Sequence, residues 1–375
     1  MPAPRPRAAR TARTARTART ARTARTARLP AARLLAGAAL AALAACSGSG
    51  HVRVASPPPP APTTAPATPS PPPPARPARH DIGPPGRLSG QQTRPGSPVL
   101  AAKIDNTTAA RPQAGIRAAD VVYVEQVEAG LTRLLALYNT QLPVRIGPVR
   151  SARRDNIDLL AQYGPVALGY SGANAAVNAE VAASPLVNDG FDAQPAAYVR
   201  DPGRSAPHDL MLDPRAVLAA RTGAGARDVG LHFDVRRAPQ TAPGRIVHVG
   251  FPSATLDFSY DRATRKYTLV QDGIPDVDET GRPVRVSNVV VQQVQQVESE
   301  LVDVVGNHTP DNITVGTGAV TVYRDGHAVP GRWSRPTTAD PTHWQTLVTG
   351  AEISLRPGQT WVLLAGPSVA VTAER

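Results

Sequence analysis

The chain has 375 residues and a formal net charge of +12, from 41 Lys and Arg against 29 Asp and Glu. The first 45 residues contribute +10 and residues 46–98 contribute +4, so residues 99–375 together carry −2. A globally basic nucleic-acid binder is excluded, because such a protein needs Lys and Arg along a face of its folded part to neutralise phosphates. The 277 residues after Pro98 are long enough for two domains.

An apolar run of twelve residues, 34–45, follows an Arg-rich stretch and ends directly before Cys46. At ~1.5 Å per residue it cannot cross ~30 Å of hydrocarbon, so it indicates an export signal and not a transmembrane helix. Residues Leu43 to Cys46 resemble the bacterial lipobox, whose cysteine receives diacylglycerol; the alternative is an ordinary cleavage site that happens to end at a cysteine. Cys46 is the single cysteine, which excludes an intramolecular disulfide. We therefore predict a lipoprotein signal peptide over residues 1–45, and a lipid on Cys46 that anchors the protein on the outer face of the bacterial cytoplasmic membrane.

Low-complexity sequence lies on both sides of this apolar run. Residues 11–28 repeat Thr-Ala-Arg six times, which indicates an overlong n-region, with a nucleic-acid arm or an export-delaying extension as alternatives. Residues 56–98 contain two runs of four prolines among Ala, Ser and Thr. Such a composition cannot form a core, so we predict a disordered, Pro-rich tether over residues 46–96.

Globular patterning begins at Val99. Apolar residues predict three strands, at Val99–Ile104, Ala119–Val127 and Thr132–Tyr138. Capping signals predict three helices: Ala152–Tyr163 after an N-cap at Ser151, a segment from Ser171 to Ser184, and a segment from Asp213 to near Gly223. This alternation of strands and helices predicts a mixed α/β domain over residues 97–238.

Helix signals nearly vanish after Pro243. Leu256, Phe258 and Tyr260 alternate with polar residues, Asn288–Gln292 is strand-like, and Asp325-Gly326 is a hairpin turn. Two further strands are predicted around Pro357-Gly358. We expect a small all-β domain over residues 243–375, so the fold class is α+β.

Short motifs in order along both predicted domains carry a family resemblance. They are Ile104–Asn106, Arg111–Gly115, Ala119–Tyr123, Glu128–Arg133, Gly147–Arg153, Ala206–His208, Asn288–Val291, Arg324–Gly326, Gly331–Ser334 and Pro357–Trp361. As a set they resemble the YerB-like bacterial lipoproteins, a two-domain family of unknown function. Relatives often carry Glu directly after the tyrosine, whereas this chain has Val124 and then Glu125. Because neighbouring strand residues face opposite ways, Glu125 does not inherit a role from that position.

The densest functional candidate is Gly147–Arg154, which precedes and opens a predicted helix. The positive end of a helix and forked guanidinium groups favour an anion there, so Arg150 and Arg153 are predicted ligand-binding residues. Arg133, after the Gly130 turn, is placed in the same region. The alternative is that Arg150 and Arg153 form structural salt bridges with Asp155, Asp158, Glu125 or Glu128. The choice of arginine over lysine is weak evidence for an anion site here, because the whole chain has 39 Arg and only two Lys.

A second candidate is the loop from Tyr198 to Asp209. His208 is suited to general acid or base chemistry if Asp209 or Asp105 orients it, and the alternative is a histidine that caps a loop by hydrogen bonding. We take Asp105, Glu128 and His208 as candidate catalytic residues. The candidate ligand-binding residues are Asn106, Arg133, Arg150, Arg153, Arg200 and Arg204.

Several familiar sites are excluded by spacing. The segment Gly169–Ala173 lacks the last glycine of a hydrolase nucleophile elbow, and the calcium-like start at Asp276 has Ser287 where a bidentate Glu is needed. No histidine pair has zinc-protease spacing, and no P-loop or dinucleotide fingerprint occurs. We therefore predict no metal and no cofactor.

Two functions remain open. The first is a binding or scaffold lipoprotein of the cell envelope that holds an anionic wall component or a partner protein through its Arg-rich domain. The second is an envelope enzyme acting on peptidoglycan or a phosphate-bearing glycopolymer, by loose analogy with the LytR-CpsA-Psr phosphotransferases, whose motifs this chain does not match residue for residue. Neither involves nucleic acid.

Overall fold

The computed structural model describes residues 86–93, 96–219, 221, 225–236, 242–303 and 306–375. They belong to one compact unit, Arg76–Arg375. The predicted signal peptide, Cys46 and the tether as far as residue 85 lie outside the described residues. Within these ranges no helix is both long and apolar enough to cross a membrane.

The first half of the described chain contains eight strands and three α-helices. In chain order they are β1 (Leu100–Asp105), β2 (Val121–Gln126), β3 (Thr132–Tyr138), α1 (Arg154–Ala161), β4 (Ala167–Gly169), α2 (Ala175–Ala183), β5 (Val187–Asn188), β6 (Tyr198–Arg200), β7 (Leu210–Leu212), α3 (Pro214–Leu218) and β8 (Ala242–Pro243).

The remainder of the described chain contains only strands. They are β9 (Ile246–Phe251), β10 (Ala254–Asp261), β11 (Lys266–Gln271), β12 (Ile274–Pro275), β13 (Arg285–Val286), β14 (Asn288–Gln293), β15 (Gln295–Val302), β16 (His308–Ile313), β17 (Gly316–Arg324), β18 (His327–Arg335), β19 (His343–Thr346), β20 (Thr360–Ala365) and β21 (Ala370–Glu374).

Among the described residues, eleven strands form one mixed sheet in the order β19-β18-β17-β14-β20-β2-β3-β1-β4-β5, with β8 paired to β18. The junction is made by β20, which runs parallel to β2 on one side and to β14 on the other. All six residues of β20 are buried, as expected for a strand covered on both faces. Strands from both predicted domains therefore share one sheet, and the β-rich segment does not have a core of its own.

The large sheet has a different cover on each face. One face, with Tyr123 and Leu135, packs against α1 and α2 through residues such as Leu159 and Val177. The other face, with Val124 among its residues, packs against a second sheet in the order β12-β11-β10-β9-β21, to which β13 adds through β11. Two hairpins, β6–β7 and β15–β16, lie outside these two sheets.

The predicted strands agree with the structure more closely than the predicted helix ends. The strand at Thr132–Tyr138 and the Asp325-Gly326 turn between β17 and β18 are confirmed. The N-cap of α1 is Arg153 and not Ser151, because the backbone just before it still runs extended beside β1.

Three further expectations need correction. The helix predicted from Ser171 starts later, after an N-cap at Asn174. Of the two strands expected around Pro357-Gly358, only β20 forms, and the residues before the turn make isolated bridges. Residues 86–93, assigned to the tether, are folded: Leu88 is fully buried against the helix-covered face of the large sheet.

Candidate functional site

Three backbone segments lie side by side at the carboxyl end of β1. The Asp105 amide donates to the Pro148 carbonyl at 2.9 Å, which places the segment before α1 beside β1. On its other edge this segment bonds to β7, where the Val149 amide donates to the Leu210 carbonyl at 2.8 Å. His208 lies in the loop just before β7. The fold thereby brings together residues that are about a hundred positions apart in sequence, as the 103-residue separation of Asp105 and His208 illustrates.

The buried Asp105 carboxylate is shared by two basic side chains. Its Oδ2 lies 2.8 Å from His208 Nδ1 and 3.1 Å from Arg150 Nε, the second contact being an ion pair that is not aligned as a hydrogen bond. Its Oδ1 accepts from the Thr107 amide at 3.0 Å. Burial by itself raises the pKa of Asp105, but the Thr107 amide, Arg150 and His208 together bring it below its usual value. Asp105 is therefore ionised at neutral pH and orients both partners.

Four arginines line a cleft of about 540 Å³ beside this carboxylate. They come from β3, from the segment before α1 and from the first residue of α1, and we call them the arginine cleft: Arg133, Arg150, Arg153 and Arg154. Asn174, the N-cap of α2, also lines it, so the N-terminal ends of α1 and α2 both reach the cleft. Helix N-termini and guanidinium groups both favour an anion in this position.

The β15–β16 hairpin supplies the opposite wall of the arginine cleft, through residues that include Leu301 and Thr309. It is fastened there by Glu128. Thr309 Oγ1 donates to one Glu128 oxygen at 2.5 Å, and Arg153 Nη2 donates to the other at 2.6 Å. Burial raises the pKa of Glu128, but these donors more than offset it and lower the pKa below its usual value. Arg153 thus forms the structural ion pair with Glu128 that the sequence left open as the alternative.

Arg133 is the member of the arginine cleft that has no carboxylate partner within the described ranges. In the sheet it lies directly opposite Asp105 of β1 and Glu125 of β2. Both carboxylates are taken by other side chains, Asp105 as described above and Glu125 by Lys103. Arg133 Nη1 donates instead to the Ser151 carbonyl at 3.3 Å.

This environment is unfavourable for the Arg133 cation. Burial and the charges of Arg153 and Arg150 lower the pKa of Arg133 to about 9, and the charges of Glu128 and Asp105 offset this only in part. Arginine stays protonated at neutral pH, so the lowered pKa describes a destabilised positive charge. An anion in the arginine cleft would relieve that destabilisation.

A buried polar network lies under the cleft on the helix-covered face of the sheet. Lys103 and Glu125 form an ion pair in which both side chains are almost fully buried. Asn156 Nδ2 donates to Glu125 at 3.0 Å and to Asp155 at 3.0 Å, and Asp155 in turn accepts from Asn312 Nδ2 at 2.6 Å. The network links β1, β2, α1 and the β15–β16 hairpin, and it thereby positions the walls of the cleft.

Three predicted ligand-binding residues lie elsewhere. Asn106 follows Asp105, so it points to the other face of the sheet, where its Nδ2 donates to Thr132 Oγ1 at 2.9 Å and to Gln271 Oε1 at 2.8 Å. These bonds join the large sheet to the second sheet. Asn106 therefore has a structural position and does not reach the arginine cleft.

Arg200 and Arg204 also make contacts away from the cleft. Arg200 is largely exposed and pairs with Asp209 at 2.7 Å. Arg204 donates to the Ala110 carbonyl at 3.0 Å and to the Pro112 carbonyl at 2.5 Å. These bonds hold the segment after β1 against the loop that carries His208.

Sequence reasoning missed several parts of the site. Arg154 was visible in the arginine motif, and its link to Glu180 at 2.8 Å is a surface pair. Asn174 could have been found as a helix cap by its residue type. Thr309 and the rest of the hairpin wall carry no local signal, because they are distant in sequence from Glu128. Within the described ranges, no group of three or more His, Cys, Asp or Glu residues is arranged to hold a metal ion.

The chain is similar in sequence and in fold to known proteins. A family model described as "Protein of unknown function (DUF3048) N-terminal domain" matches residues 86–227, and the corresponding C-terminal domain model matches residues 247–362. The chain belongs to the DUF3048 family. This finding confirms the resemblance given by the sequence motifs.

One DUF3048 relative is the Bacillus subtilis (strain 168) protein named "Putative lipoprotein YerB". It is 25% identical over 277 residues, which cover 70% of this chain and 80% of the relative. A crystal structure of YerB from Bacillus subtilis matches with a TM-score of 0.64 at 21% identity, covering 76% of this chain and 99% of that one. The structural match shows that the two proteins share a fold.

Proposed function

We propose that this DUF3048 protein is a lipid-anchored protein on the outer face of the bacterial cytoplasmic membrane that binds an anionic component of the cell envelope. The observation that carries the binding proposal is Arg133, a destabilised cation with no carboxylate partner among the described residues, in a cleft of about 540 Å³ lined by three further arginines. Such a cleft suits a phosphate or carboxylate group of a wall polymer or of a lipid-linked precursor.

The anchoring part of the proposal depends on Cys46. The lipobox-like sequence ends at this single cysteine, and the relative YerB is itself named as a lipoprotein. Cys46→Ala should release the protein into the medium or leave an unprocessed precursor, as seen by membrane fractionation and the mass of the product. Processing and membrane retention equal to those of the wild type would contradict lipidation.

Binding can be tested with matched arginine variants of the full-length protein in detergent, with inorganic pyrophosphate and purified anionic wall polymer as probes. Arg133→Gln should weaken binding about tenfold, since one charged hydrogen-bond donor is lost. Arg150→Glu should abolish it, because a carboxylate would enter the cleft. Arg200→Gln is the control, because Arg200 is an exposed arginine outside the cleft.

The measurement is titration calorimetry for pyrophosphate and co-sedimentation for the polymer. Equal affinities in the wild type, Arg133→Gln and Arg150→Glu would leave the cleft with a structural role only. If Arg200→Gln weakens binding as much as Arg133→Gln does, binding depends on the overall charge of the protein and not on the cleft.

The Asp105–His208 contact favours a second candidate, an envelope enzyme acting on peptidoglycan or a phosphate-bearing glycopolymer. His208 Nδ1 lies 2.8 Å from the carboxylate, whereas Nε2 has no hydrogen-bond partner within the described part of the chain. A carboxylate-oriented imidazole can transfer a proton to or from a bound substrate, and Arg150 reaches the same carboxylate from the cleft.

Turnover decides between the two candidates. Full-length protein is incubated with wall fragments and with lipid-linked precursors, and products are sought by mass spectrometry. An enzyme should form product that disappears in His208→Gln and Asp105→Asn while pyrophosphate still binds. Absence of product in the wild type, with binding intact, would reject the enzyme and keep the binding protein.

A further inference from the structure

A second cationic cavity, of about 370 Å³, lies between residues of the two matched family domains and away from the arginine cleft. One wall comes from the turn before β2 and from Gln359, and the other comes from the second sheet. Its charged lining residues are Arg117, Asp120, Lys266 and Arg285. Neutral amide side chains complete the lining: Gln91, Gln141 and Gln359.

Lys266, the first residue of β11, is half-buried in this cavity. Its ammonium group has no hydrogen bond and no ion pair with any residue that the structure describes. Burial lowers the pKa of Lys266, and the charges of Arg117 and Arg285 lower it further. The ammonium group is therefore held near two other cations without an acceptor.

Arg285 lies on the same face of the second sheet as Lys266. It is paired in register with Thr268, and Lys266 is two residues before Thr268 on β11. Because side chains two positions apart share a face, both cations face the same way. Arg285 is exposed and, like Lys266, has no ion-pair partner among the described residues.

The acidic groups near the cavity are already engaged. Asp120 Oδ2 accepts from the Asn139 amide at 2.7 Å and from the Thr140 amide at 2.8 Å. Asp278 pairs with Arg117 Nη1 at 3.0 Å. Asp261, directly opposite Lys266 on β10, accepts from the Ala263 amide at 2.9 Å and from Thr264 Oγ1 at 2.8 Å; these donors and the charge of Arg285 lower its pKa. Lys266 and Arg285 still have no ion-pair partner among the described residues.

We propose that this cavity is a second oxyanion site, in which Lys266, Arg285 and Arg117 bind the phosphate or carboxylate group of a small molecule. The positive charges supply the attraction, and the amide groups of Gln91 and Gln141 supply neutral donors. A volume of about 370 Å³ falls in the range of small-ligand pockets. The proposal does not depend on the ligand of the arginine cleft.

The two lysines of the chain allow a direct test. Full-length protein labelled with ¹³C-lysine and held in detergent gives two lysine side-chain signals, from Lys103 and Lys266. Inorganic phosphate should move the Lys266 signal in a saturable manner and raise the pKa of Lys266, because a bound anion stabilises the ammonium group. Lys103 is buried against Glu125, so its signal should stay in place and reports that the protein is folded.

Variants then locate the anion. Arg285→Gln, at an exposed position, should raise the dissociation constant measured at Lys266 about tenfold, whereas Arg332→Gln, an exposed arginine of β18, should leave it unchanged. Acetate, titrated in the same way, tests whether the cavity binds a carboxylate group. A Lys266 signal that neither anion moves would overturn the proposal.

Two other results would also overturn it. The first is a Lys266 shift that Arg285→Gln affects no more than Arg332→Gln does. The second is a shift that vanishes in Arg133→Gln, which would place the anion in the arginine cleft. Conversely, a Lys266 response that persists in Arg133→Gln supports the second site even if the arginine cleft binds nothing.

Discussion

Arg133 and Asp105 lie directly opposite each other on β3 and β1, yet among the described residues they do not form an ion pair. The reason is competition. Arg150 and His208 approach the Asp105 carboxylate from the neighbouring segments, and the Thr107 amide holds its other oxygen. The sheet thus holds an arginine beside a carboxylate that is already fully engaged, and this arrangement leaves a cation available to a ligand.

Arg133→Met should therefore leave the free energy of unfolding unchanged or raise it slightly at neutral pH. The substitution removes a destabilised charge without leaving an unpaired carboxylate behind. Arg153→Met is the contrasting variant, because it leaves the Glu128 carboxylate buried without its cation, and it should lower the free energy of unfolding by about 3 kcal/mol or more. Urea unfolding followed by circular dichroism measures both.

The difference in free energy of unfolding between Arg133→Met and Arg153→Met tests whether Arg133 is a ligand-binding residue. If Arg133→Met destabilises the protein as much as Arg153→Met does, then Arg133 has a structural role and the argument for a ligand-binding cation fails. The expected pattern, stability kept while anion binding is lost, is typical of residues retained for function.

The sequence predicts the central strands well and the site only in part. Alternating and continuous apolar residues mark β2 and β3, and the motif around Arg150 places that residue near Arg133. The sequence could not show that β20, more than two hundred residues after β2, pairs with it in parallel, because its apolar run is equally compatible with a separate β domain.

The same limit applies to the walls of the cleft. A histidine near an Asp can be recognised from residue type, but two aspartates were possible partners of His208, and only the packing of β7 against the segment before α1 selects Asp105. Thr309 is a common strand residue whose bond to Glu128 depends on where the hairpin folds over. Both are consequences of tertiary packing.

The buried Lys103–Glu125 pair should be sensitive to removal of one partner. Lys103→Met leaves an unpaired carboxylate at a fully buried position, so it should lower the free energy of unfolding by about 3–5 kcal/mol. Adding Glu125→Gln should restore part of the loss, because the double variant removes both charges of this pair and Gln keeps an acceptor for Asn156. Urea unfolding of the two single variants and the double variant gives the coupling energy.

The exposed Arg154–Glu180 pair provides the control for that series. Its side chains are 40% and 39% exposed, so Glu180→Gln should change the free energy of unfolding by less than about 1 kcal/mol. Additive effects of the Lys103 and Glu125 substitutions would show that the two side chains do not interact in solution.

The Thr309–Glu128 bond should keep the β15–β16 hairpin closed over the arginine cleft. Thr309→Val removes the hydroxyl donor at almost constant volume and leaves one oxygen of a buried carboxylate without a partner. We expect faster amide hydrogen exchange in β15 and β16, with little change in β1 to β3. Thr317→Val, on the exposed side of β17, is the matched control. Unchanged exchange in the hairpin would mean that other contacts close it.

Asp311 should make stability depend on pH in the direction opposite to Asp105 and Glu128. Burial, and then the charge of Asp155, raise the pKa of Asp311 from 3.8 to about 6, and its buried Oδ1 has no hydrogen-bond partner in the part of the chain that the structure describes. The folded state therefore holds this proton more tightly than the unfolded state does, so the contribution of Asp311 to stability is lost as pH rises from about 4 to about 6. Asp105 and Glu128, whose pKa values are lowered, contribute stability at neutral pH that is lost on acidification.

Asp311→Asn separates these opposing effects. Asp311 is surrounded by the charges of Asp155, Arg154, Glu180 and Asp158, and the substitution removes only its own titration. The variant should match the wild type in free energy of unfolding below pH 4 and exceed it increasingly up to about pH 6, with a constant difference above. Urea unfolding at a series of pH values measures the difference. A difference that does not change with pH would show that Asp311 is solvated in the folded protein and that its carboxylate is ionised without penalty.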